Sequence, residues 1–331
     1  MTDQALSTRL AYREALLGAM AEQPRVVCLD ADTGLFADAD FGQAAGRYVN
    51  VGIAEQHAMT MAAALALDGW MPFVTTFAAF AETRAAEAVK IDVAYNAVPV
   101  RIAVTHGGLS AEQLGPTHHA LADLALMRAL PHMTVVVPAD AGAVRSFVQQ
   151  SLTWPGPLYL RLGRKPTEPV PAEDPPVIGQ IQVLRARGDV VIAACGPHPV
   201  AAALAAAAEL AVGGISAAVL NVHTLAPLDL GTFTEAARRA VLVVTVEEHW
   251  TAGGLGGAVA EALGRHAPRP LITVGVPGTF VDVAGSHAHL LDRLGITGPA
   301  IADRIRHALT SHTDSAHPFQ RRNDAAVMSR M

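Results

Sequence analysis

Residues 48–80 have the sequence YVNVGIAEQHAMTMAAALALDGWMPFVTTFAAF and place one carboxylate, Glu55, between a strand-like run and an apolar helix. Residues 48–51 predict a buried strand, and residues 58–67, nearly all Ala, Met and Leu, predict a helix that is covered on most sides. Glu55 is therefore expected to enter a hydrophobic layer. By position alone, a Glu in the first helical turn is best explained by the helix dipole, and a buried proton relay is the alternative interpretation.

Strand-like apolar runs alternate with helical patterns on both sides of this stretch. A helix is predicted over residues 8–20 and strands over residues 26–29, 73–75, 102–105, 135–137 and 158–160. The alternation returns later, with a helix over residues 200–211 and strands over residues 190–194, 217–220, 241–246 and 271–274. Such alternation is typical of parallel sheets with helices on both faces. The sequence thus predicts an α/β protein with two doubly wound α/β domains.

Length and local composition divide the chain. With 331 residues and 51% hydrophobic content, the chain is long enough to bury two cores. The proline-rich segment after Arg164 is expected to be a linker without helix or strand, and the polar segment from Ser311 onward a mobile tail. The predicted divisions are a first domain at residues 1–165, a linker at 166–178, a second domain at 179–310 and a tail at 311–331.

The composition argues against several classes of partner. The 24 basic and 30 acidic residues give a net charge of −6, without the basic stripe that nucleic acids require. The amino terminus lacks a signal-peptide pattern and no apolar run is long enough to span a membrane, so we expect a cytoplasmic protein. Cys28 and Cys195, the only cysteines, lie in apolar runs and are expected to be buried, non-catalytic thiols.

A loop rich in glycine, residues 106–118, follows one of the predicted strands. It begins at His106 and ends at His118, side chains of a type that titrates near neutral pH, and such loops often hold ligands. Without further context, the simpler explanation is that His106 ends a strand and His118 caps a helix over residues 119–130. Phe77 and Phe80, three residues apart on a predicted helix face, are likewise explained by core packing.

A metal site was considered at the adjacent residues His118 and His119. No carboxylate or third histidine follows them at ligand spacing, and His287 and His289 also lack partners in the sequence. The sequence therefore predicts no metal site within this chain.

Several short motifs resemble one enzyme family. They are Gly52-Ile-Ala-Glu-Gln56, Thr75-Thr-Phe-Ala-Ala-Phe80, Gly115-Pro-Thr-His118 and Arg128-Ala-Leu-Pro131, with a looser match at Glu247-Glu-His249 and Gly253-Gly-Leu-Gly256. In this order they resemble the pyrimidine-binding and carboxyl-terminal domains of the transketolase family. The resemblance implies thiamine diphosphate as the cofactor, with Glu55 hydrogen-bonded to its aminopyrimidine ring.

The same resemblance implies roles for six further side chains. It places Phe77 and Phe80 against the aminopyrimidine, His106 and His118 in the substrate channel, and Arg13 and Arg164 at a substrate phosphate. Aromatic rings stack on heterocycles, imidazoles exchange protons with sugar oxygens, and guanidinium groups bind phosphate with paired hydrogen bonds.

The family also has a diphosphate-binding domain, whose Gly-Asp-Gly motif holds magnesium, and this sequence contains no Gly-Asp-Gly. The resemblance therefore implies a separate amino-terminal subunit that binds the diphosphate and Mg²⁺, in a heterotetramer with two copies of each subunit (alpha2beta2). The implied activity is transfer of a two-carbon ketol unit from a ketose phosphate to an acceptor, by the carboxyl-terminal subunit of a split transketolase.

Three other interpretations stay open. The chain also resembles the beta subunit of 2-oxo acid dehydrogenases, although a His-Ser-Gln-like element is usual there in place of Pro116-Thr-His-His119. Deoxyxylulose phosphate synthase shares the run Gly-Ile-Ala-Glu-Gln-His, but its diphosphate domain is normally fused. An inactive scaffold that retains only the fold is the third interpretation.

One pair of positions departs from the family. Transketolases that resemble this chain usually carry Glu-Asp before Gly-Pro-Thr-His, where this chain has Gln113 and Leu114. Leu cannot accept a hydrogen bond from a substrate hydroxyl, and an unpaired buried hydroxyl costs about 1–3 kcal/mol. We therefore expect an altered acceptor, such as a simpler aldehyde or an acyl-carrying thiol. A shifted loop in which Glu112 supplies the carboxylate is the alternative.

Overall fold

Residues 5–172 and 174–315 are described by the computed structural model, and the first of the two domains is built on a mostly parallel sheet. Its elements are β1 (Leu6–Ser7), α1 (Thr8–Glu22), β2 (Val26–Asp30), β3 (Tyr48–Asn50), α2 (Glu55–Leu67), β4 (Met71–Phe77), α3 (Ala78–Ala81), α4 (Ala86–Ala88), β5 (Arg101–Thr105), α5 (Asp123–Ala129), β6 (Thr134–Val136), α6 (Ala141–Ser151), β7 (Leu158–Arg161) and β8 (Pro166–Thr167). Short 3-10 helices lie at Gly42–Arg47 and Glu112–Thr117, and a π-helical turn lies at Val89–Ala94.

The second domain repeats the α/β pattern. Its elements are β9 (Gln182–Arg185), β10 (Val190–Ala194), α7 (Pro197–Val212), β11 (Ala217–Asn221), β12 (Thr224–Ala226), α8 (Leu230–Arg239), β13 (Leu242–Trp250), α9 (Leu255–His266), β14 (Leu271–Val276), α10 (His287–Arg293) and α11 (Gly298–Ser315). The strand order is β14-β13-β10-β11-β9, with only β9 antiparallel to its neighbour. The predicted class of two α/β domains is confirmed.

Helices pack on both faces of the first sheet, as strand β2 shows. In β2, Val26 and Cys28 pack in the same cluster as residues of α1 and α6, whereas Val27 and Leu29 pack with residues of α2. Successive strand residues point to opposite faces, so a strand covered on both sides needs a continuous apolar run. All five residues of β2 are buried, as this requires.

A strand from the second half of the chain completes the first sheet, whose order is β12-β6-β7-β5-β4-β2-β3. β12 lies antiparallel to β6, with Thr224 opposite Val136, and the backbone N–H of Val137 donates to the carbonyl of His223 at 2.7 Å. The sheet is therefore mixed, and the prediction of a purely parallel sheet is wrong at this edge. Covering β6 satisfies backbone groups that an open edge would leave unpaired.

Two features of the stretch at residues 48–80 differ from prediction. β3 forms where a buried strand was predicted, but it is the last strand of the sheet, and Val49 is 37% exposed. α2 buries Glu55, Ala58 and Met59 on one side only, while Leu67 is 72% exposed. The outer face of α2 is thus not covered by the described part of the chain, although its small residues suit close packing on the inner side.

The proline-rich linker is more ordered than the sequence suggests. Pro166–Thr167 forms β8 and pairs antiparallel with Leu6–Ser7. Further along, the backbone N–H of Val170 donates to Asp140 Oδ2 at 2.6 Å. Proline removes N–H donors but leaves carbonyls and its neighbours' N–H groups free to bond, so the expectation that this segment contains no strand is wrong.

The structure also bears on the predicted carboxyl-terminal end of the second domain. α11 continues to Ser315 and so extends past Ser311, where the predicted tail begins. The rest of that prediction concerns residues 316–331, which lie outside the described residues.

The two cysteines are buried and form no disulfide, as predicted. Burial raises the pKa of both thiols, at Cys28 and Cys195, well above its ordinary value. Both therefore stay protonated at neutral pH, which suits a packing role.

Among the helices of residues 5–172 and 174–315, none combines the length and apolar character that crossing a bilayer requires.

His223 lies where the two domains join. Its ring centre is 4.9 Å from that of Phe147 in α6, and its Nδ1 hydrogen-bonds Thr224 Oγ1 at 3.0 Å. Its Nε2 is buried without a hydrogen-bond partner. Burial lowers the pKa of His223 to about 4, so the ring is neutral at pH 7.

Acidification is expected to destabilise the chain through His223. The pKa of this ring is about 4 in the folded state and about 6.5 in an unfolded chain, so between these values the unfolded state binds the extra proton. The free energy of unfolding then falls as the pH drops through this window, by up to about 1.4 kcal/mol per pH unit. His223→Phe should lack this pH-dependent contribution. Urea denaturation of wild type and variant at neutral pH and at about pH 5 measures it. Equal pH dependence in wild type and variant would contradict the assignment.

Candidate active site

The loops that follow β2, β3, β4 and β5 meet at one edge of the first sheet and enclose a cleft of about 350 Å³. In open α/β sheets, ligands bind at this carboxyl edge because parallel strands bring their following loops together there. The cleft is lined by Ala31, Asp32, Thr33, Ile53, Glu55, Thr76, Phe77, Phe80, Arg84, Thr117 and His118. The structure thus brings four of the predicted site residues, Glu55, Phe77, Phe80 and His118, into one cleft.

The acids after β2 have different surroundings. Asp30 accepts hydrogen bonds from the hydroxyls of Thr33 at 2.6 Å and Tyr48 at 3.1 Å, which makes it a loop cap. Burial raises the pKa of Asp30. Asp32 adopts a positive φ of 56°, accepts a hydrogen bond from Asn50 and lines the cleft.

Glu55 is the first residue of α2, and its side chain is 3% exposed. One carboxylate oxygen accepts a hydrogen bond from Arg84 Nη1 at 3.0 Å. The Arg84 side chain is 50% exposed, and its guanidinium carbon lies 4.1 Å from the centre of the Phe80 ring. The buried carboxylate and the Phe80 ring therefore both contact the half-exposed guanidinium of Arg84.

Phe77 and Phe80 form an aromatic wall. Phe77 ends β4 and Phe80 lies in α3, so the prediction that both belong to one helix face is wrong. Their rings nevertheless stack, with centroids 5.7 Å apart and planes 19° apart. Phe77 also lies 4.2 Å from the ring of His106, and Phe80 meets His118 edge-on at 5.3 Å. The wall connects the surroundings of Glu55 with both loop histidines.

His106 is held in an uncommon conformation directly after β5. Its φ is 61°, which few residues other than glycine adopt, and its Nδ1 hydrogen-bonds Thr105 Oγ1 at 2.9 Å. Burial, together with the positive charges of Arg9 and Arg164, lowers the pKa of His106 to about 4. The prediction that His106 titrates near neutral pH is therefore wrong, and the ring is a neutral hydrogen-bonding group at pH 7.

The two arginines beside His106 form a cationic pair. Burial and the charge of Arg164 lower the pKa of Arg9, whose Nε is buried without a hydrogen-bond partner. Arg13, the predicted phosphate ligand, lies one helical turn further along α1 and binds Asp38 Oδ1 at 2.9 Å. The geometry thus favours Arg9 over Arg13 as the partner of Arg164. Arg9 and Arg13 are four residues apart on α1, so the sequence alone places both on nearly the same helix face.

Glu112 is engaged outside the cleft. Its carboxylate lies 2.8 Å from Lys165 Nζ and 3.6 Å from Arg164 Nη1, and it accepts the backbone N–H of His287 at 2.9 Å. Leu114, in contrast, is 49% exposed. The geometry therefore does not favour the alternative in which Glu112 takes over the hydrogen bond of the missing Asp.

The surroundings of this loop require three corrections. Glu112–Thr117 forms a 3-10 helix in a loop predicted to be irregular, and the following helix, α5, begins at Asp123 instead of residue 119. His287, predicted to lack a partner, has its Nε2 2.8 Å from Glu248 Oε2. Both residues of that pair are distant from one another in sequence, so spacing could not reveal it.

A buried ion pair lies beneath the loop. Arg161 donates to both oxygens of Asp123, at 2.8 and 2.9 Å, and to the backbone carbonyls of Ala120 at 2.7 Å and Glu248 at 3.0 Å. Both side chains are almost fully buried. Arginines at a domain edge are usually solvated, but Arg161 is buried and paired. Its position inside the apolar run of β7 was the signal that it would be buried and paired.

Comparison with protein families identifies the class of this fold and site. Residues 4–169 match the model of the transketolase pyrimidine-binding domain, and residues 179–301 match the model of the transketolase C-terminal domain. The two models together cover most of the chain. The chain therefore belongs to the transketolase family.

Individual relatives narrow the comparison. The chain is 40% identical over 304 residues to the 6-deoxy-6-sulfo-D-fructose transketolase subunit of Clostridium sp., a match that covers 90% of this chain and 93% of that protein. A solved split-gene transketolase, described as an inactive beta4 tetramer, is also 40% identical, with a TM-score of 0.85 and coverage of 92% and 99%. The 1-deoxy-D-xylulose-5-phosphate synthase of Gloeobacter violaceus is 38% identical over 322 residues, but 95% of this chain matches only 48% of that protein.

Membership of this family implies thiamine diphosphate as the cofactor, and the cleft fits the aminopyrimidine end of that molecule. Glu55 offers a buried carboxylate to a ring nitrogen, and Phe80 offers an aromatic face for stacking. Arg84 contacts both of these groups and must turn away for a ring to enter between them. Its half-exposed side chain leaves that movement open.

Proposed function

We propose that the chain is the carboxyl-terminal subunit of a split transketolase, which takes part in transfer of a two-carbon ketol unit from a ketose phosphate to an acceptor. The observation that carries this proposal is the buried Glu55 beside the aromatic wall of Phe77 and Phe80, in a cleft that His118 also lines. The family match and the 40% identity with a transketolase subunit support it.

Each side chain of the site has a task in this proposal. When bound, thiamine diphosphate supplies a nucleophilic carbon that attacks the ketose carbonyl. Glu55 holds a proton at the aminopyrimidine ring nitrogen and so fixes the ring's protonation state. Phe80 supports the ring from one face. His106, neutral at pH 7, and His118 hydrogen-bond substrate oxygens.

We further propose that a separate amino-terminal subunit binds the cofactor's diphosphate through Mg²⁺, in a heterotetramer with two copies of each chain. The similarity to a split-gene transketolase whose beta4 tetramer is inactive supports a need for a second kind of subunit. The residues that line the cleft include Arg84 as their one cation, on the pyrimidine side, which is a further reason to look to a partner for the diphosphate.

Replacing Glu55 tests the proposal most directly. In the complex with its amino-terminal subunit, Glu55→Ala should lower kcat by about 10²- to 10⁴-fold, because it removes the carboxylate that holds the proton at the ring nitrogen. Glu87→Ala, at an exposed position nearby in the chain, is the matched control and should keep wild-type turnover. Near wild-type kcat for Glu55→Ala would contradict the assignment. A wild-type complex that turns over no ketose phosphate would favour the scaffold interpretation.

The cationic pair leads to a second prediction. If Arg9 and Arg164 bind the terminal anion of the donor, Arg9→Ala and Arg164→Ala should each raise KM more than they lower kcat, as expected for lost uniform binding. Arg13→Ala, one turn away and paired with Asp38, should change KM little. Steady-state kinetics with phosphorylated and sulfonated ketoses would measure this. A larger KM effect at Arg13 than at Arg9 would restore the sequence-based choice.

Leu114 bears on the acceptor. Its side chain is 49% exposed next to Gly115, and it offers no hydrogen-bond acceptor where related transketolases carry Asp. We propose that the acceptor lacks the matching hydroxyl, as in a simple aldehyde or a carrier-bound thiol arm. Glu112 is already bound to Lys165 and to the backbone of His287, which supports this choice over a shifted loop.

Leu114→Asp should therefore improve the use of an ordinary aldose acceptor. The new carboxylate accepts the substrate hydroxyl, and a restored hydrogen bond of about 1–3 kcal/mol corresponds to an increase in kcat/KM of about 5- to 150-fold for ribose 5-phosphate. Leu114→Asn, of similar size but uncharged, serves as control for the charge. If the wild type already uses ribose 5-phosphate efficiently and Leu114→Asp brings no gain, the altered-acceptor proposal is wrong.

A further inference from the structure

A second cluster of chemically capable side chains lies outside the cleft, in the second domain. It consists of His198 near the start of α7, Glu248 in β13 and His287 at the start of α10. Each residue offers one ligand atom, and these atoms all lie within 4.8 Å of one another. Three distant parts of the chain therefore converge on one point.

The cluster has unused hydrogen-bonding capacity. Glu248 Oε2 accepts the backbone N–H of Leu109 at 3.3 Å and lies 2.8 Å from His287 Nε2. The other ring nitrogen of His287, Nδ1, is buried without a hydrogen-bond partner, although the residue is only 4% exposed. The His198 ring meets that of His287 edge-on at 4.4 Å. A buried imidazole with an unpaired nitrogen is costly unless something binds there.

The cluster also has space beside it. A cavity of about 20 Å³ is lined by all three residues, together with Ser110 and Cys195. A volume of about 10–15 Å³ is enough for one water molecule. The cavity therefore has room for a single small species next to three ligand atoms.

The charge balance allows a cation. Arg161 lines the same cavity, but its guanidinium is matched by Asp123. Lys165, which acts electrostatically on His287, is bound by Glu112 at 2.8 Å. Arg161 and Lys165 are thus each paired with a carboxylate other than Glu248, and the side-chain partner of Glu248 is His287 Nε2 at 2.8 Å, itself one of the three ligand residues.

We propose that His198, Glu248 and His287 bind one Zn²⁺ ion, with a water molecule from the adjacent cavity as fourth ligand. Two imidazoles and one carboxylate are a donor set typical of zinc and unlike the all-oxygen set that Mg²⁺ prefers. With zinc–ligand bonds of about 2.1 Å, tetrahedral ligand atoms lie about 3.4 Å apart, so side-chain shifts of about 1 Å complete the site.

Such an ion would stabilise the loop of residues 106–118. Glu248 already accepts the backbone N–H of Leu109, and the backbone N–H of His287 binds Glu112. Both contacts reach from the second domain to the loop between His106 and His118. Fixing Glu248 and His287 to one ion therefore fixes both of these contacts, and this role is independent of thiamine chemistry.

Metal binding by the purified full-length chain tests the proposal. After treatment with EDTA and dialysis, calorimetric titration with ZnCl₂ should show one site per chain with a Kd of about 1 µM or tighter. Substituting Co²⁺ should give the visible absorption of a tetrahedral site. Zn²⁺ should also raise the unfolding temperature of the metal-free protein, because it binds the folded state.

Variants locate the site. His198→Ala, at a half-buried position, should weaken Zn²⁺ binding at least about tenfold and abolish the Co²⁺ spectrum, since one of three protein ligands is lost. His289→Ala, an exposed histidine on the same helix as His287, should bind like wild type. The absence of stoichiometric binding to the wild type overturns the proposal. So does binding that survives His198→Ala unchanged, since the ion then lies at another site.

Discussion

The buried ion pair of Arg161 and Asp123 is the interaction on which the candidate active site depends. One guanidinium satisfies two carboxylate oxygens and two backbone carbonyls, one at Ala120, just after the loop of residues 106–118, and one in the second domain at Glu248. A buried charge is tolerated only when its donors are paired, and breaking such a pair by removing one partner costs about 3–5 kcal/mol. The Arg161 guanidinium therefore fixes the end of β7, the path of the chain after the loop of residues 106–118 and the position of the second domain. The geometry of the candidate active site therefore depends on the packing of the two domains.

Electrostatics within the site follow from this packing. Burial lowers the pKa of His106 and so keeps its ring neutral, and the nearby cations Arg9 and Arg164 add to this effect because like charges are poorly screened away from water. Glu112 is the carboxylate paired with both Lys165 and Arg164, and the Nε of Arg9 is buried without a hydrogen-bond partner. A region with excess positive charge beside a neutral imidazole suits an anionic sugar whose hydroxyls need hydrogen-bond partners without full proton transfer. Beside the aromatic wall, Glu55 balances the charge of Arg84 at 3.0 Å.

The sequence was sufficient for the features that depend on local pattern. Continuous apolar runs indicated strands that helices cover on both faces, and the burial of Glu55 followed from the small residues around it. It was insufficient wherever the deciding contact joins distant segments. The pairing of β12 with β6, the His287–Glu248 contact and the ion pair of Arg84 with Glu55 leave no periodicity behind. The assignment of Arg13 to a substrate phosphate stays a prediction, because Arg9 lies one helical turn earlier on α1 and the sequence could not show that Arg13 would pair with Asp38.

The strand β12 has a consequence for how this chain can vary in evolution. Because Thr224 and Ala226 complete a sheet whose other strands precede the linker, the two halves share one hydrogen-bonded framework. Recombination at the linker would produce a hybrid protein in which β6 and β12 come from two different parent sequences. Register, twist and the packing of His223 on Phe147 would then have to match by chance. The two halves are consequently expected to be inherited as one block, with changes on either side of the junction compensating one another.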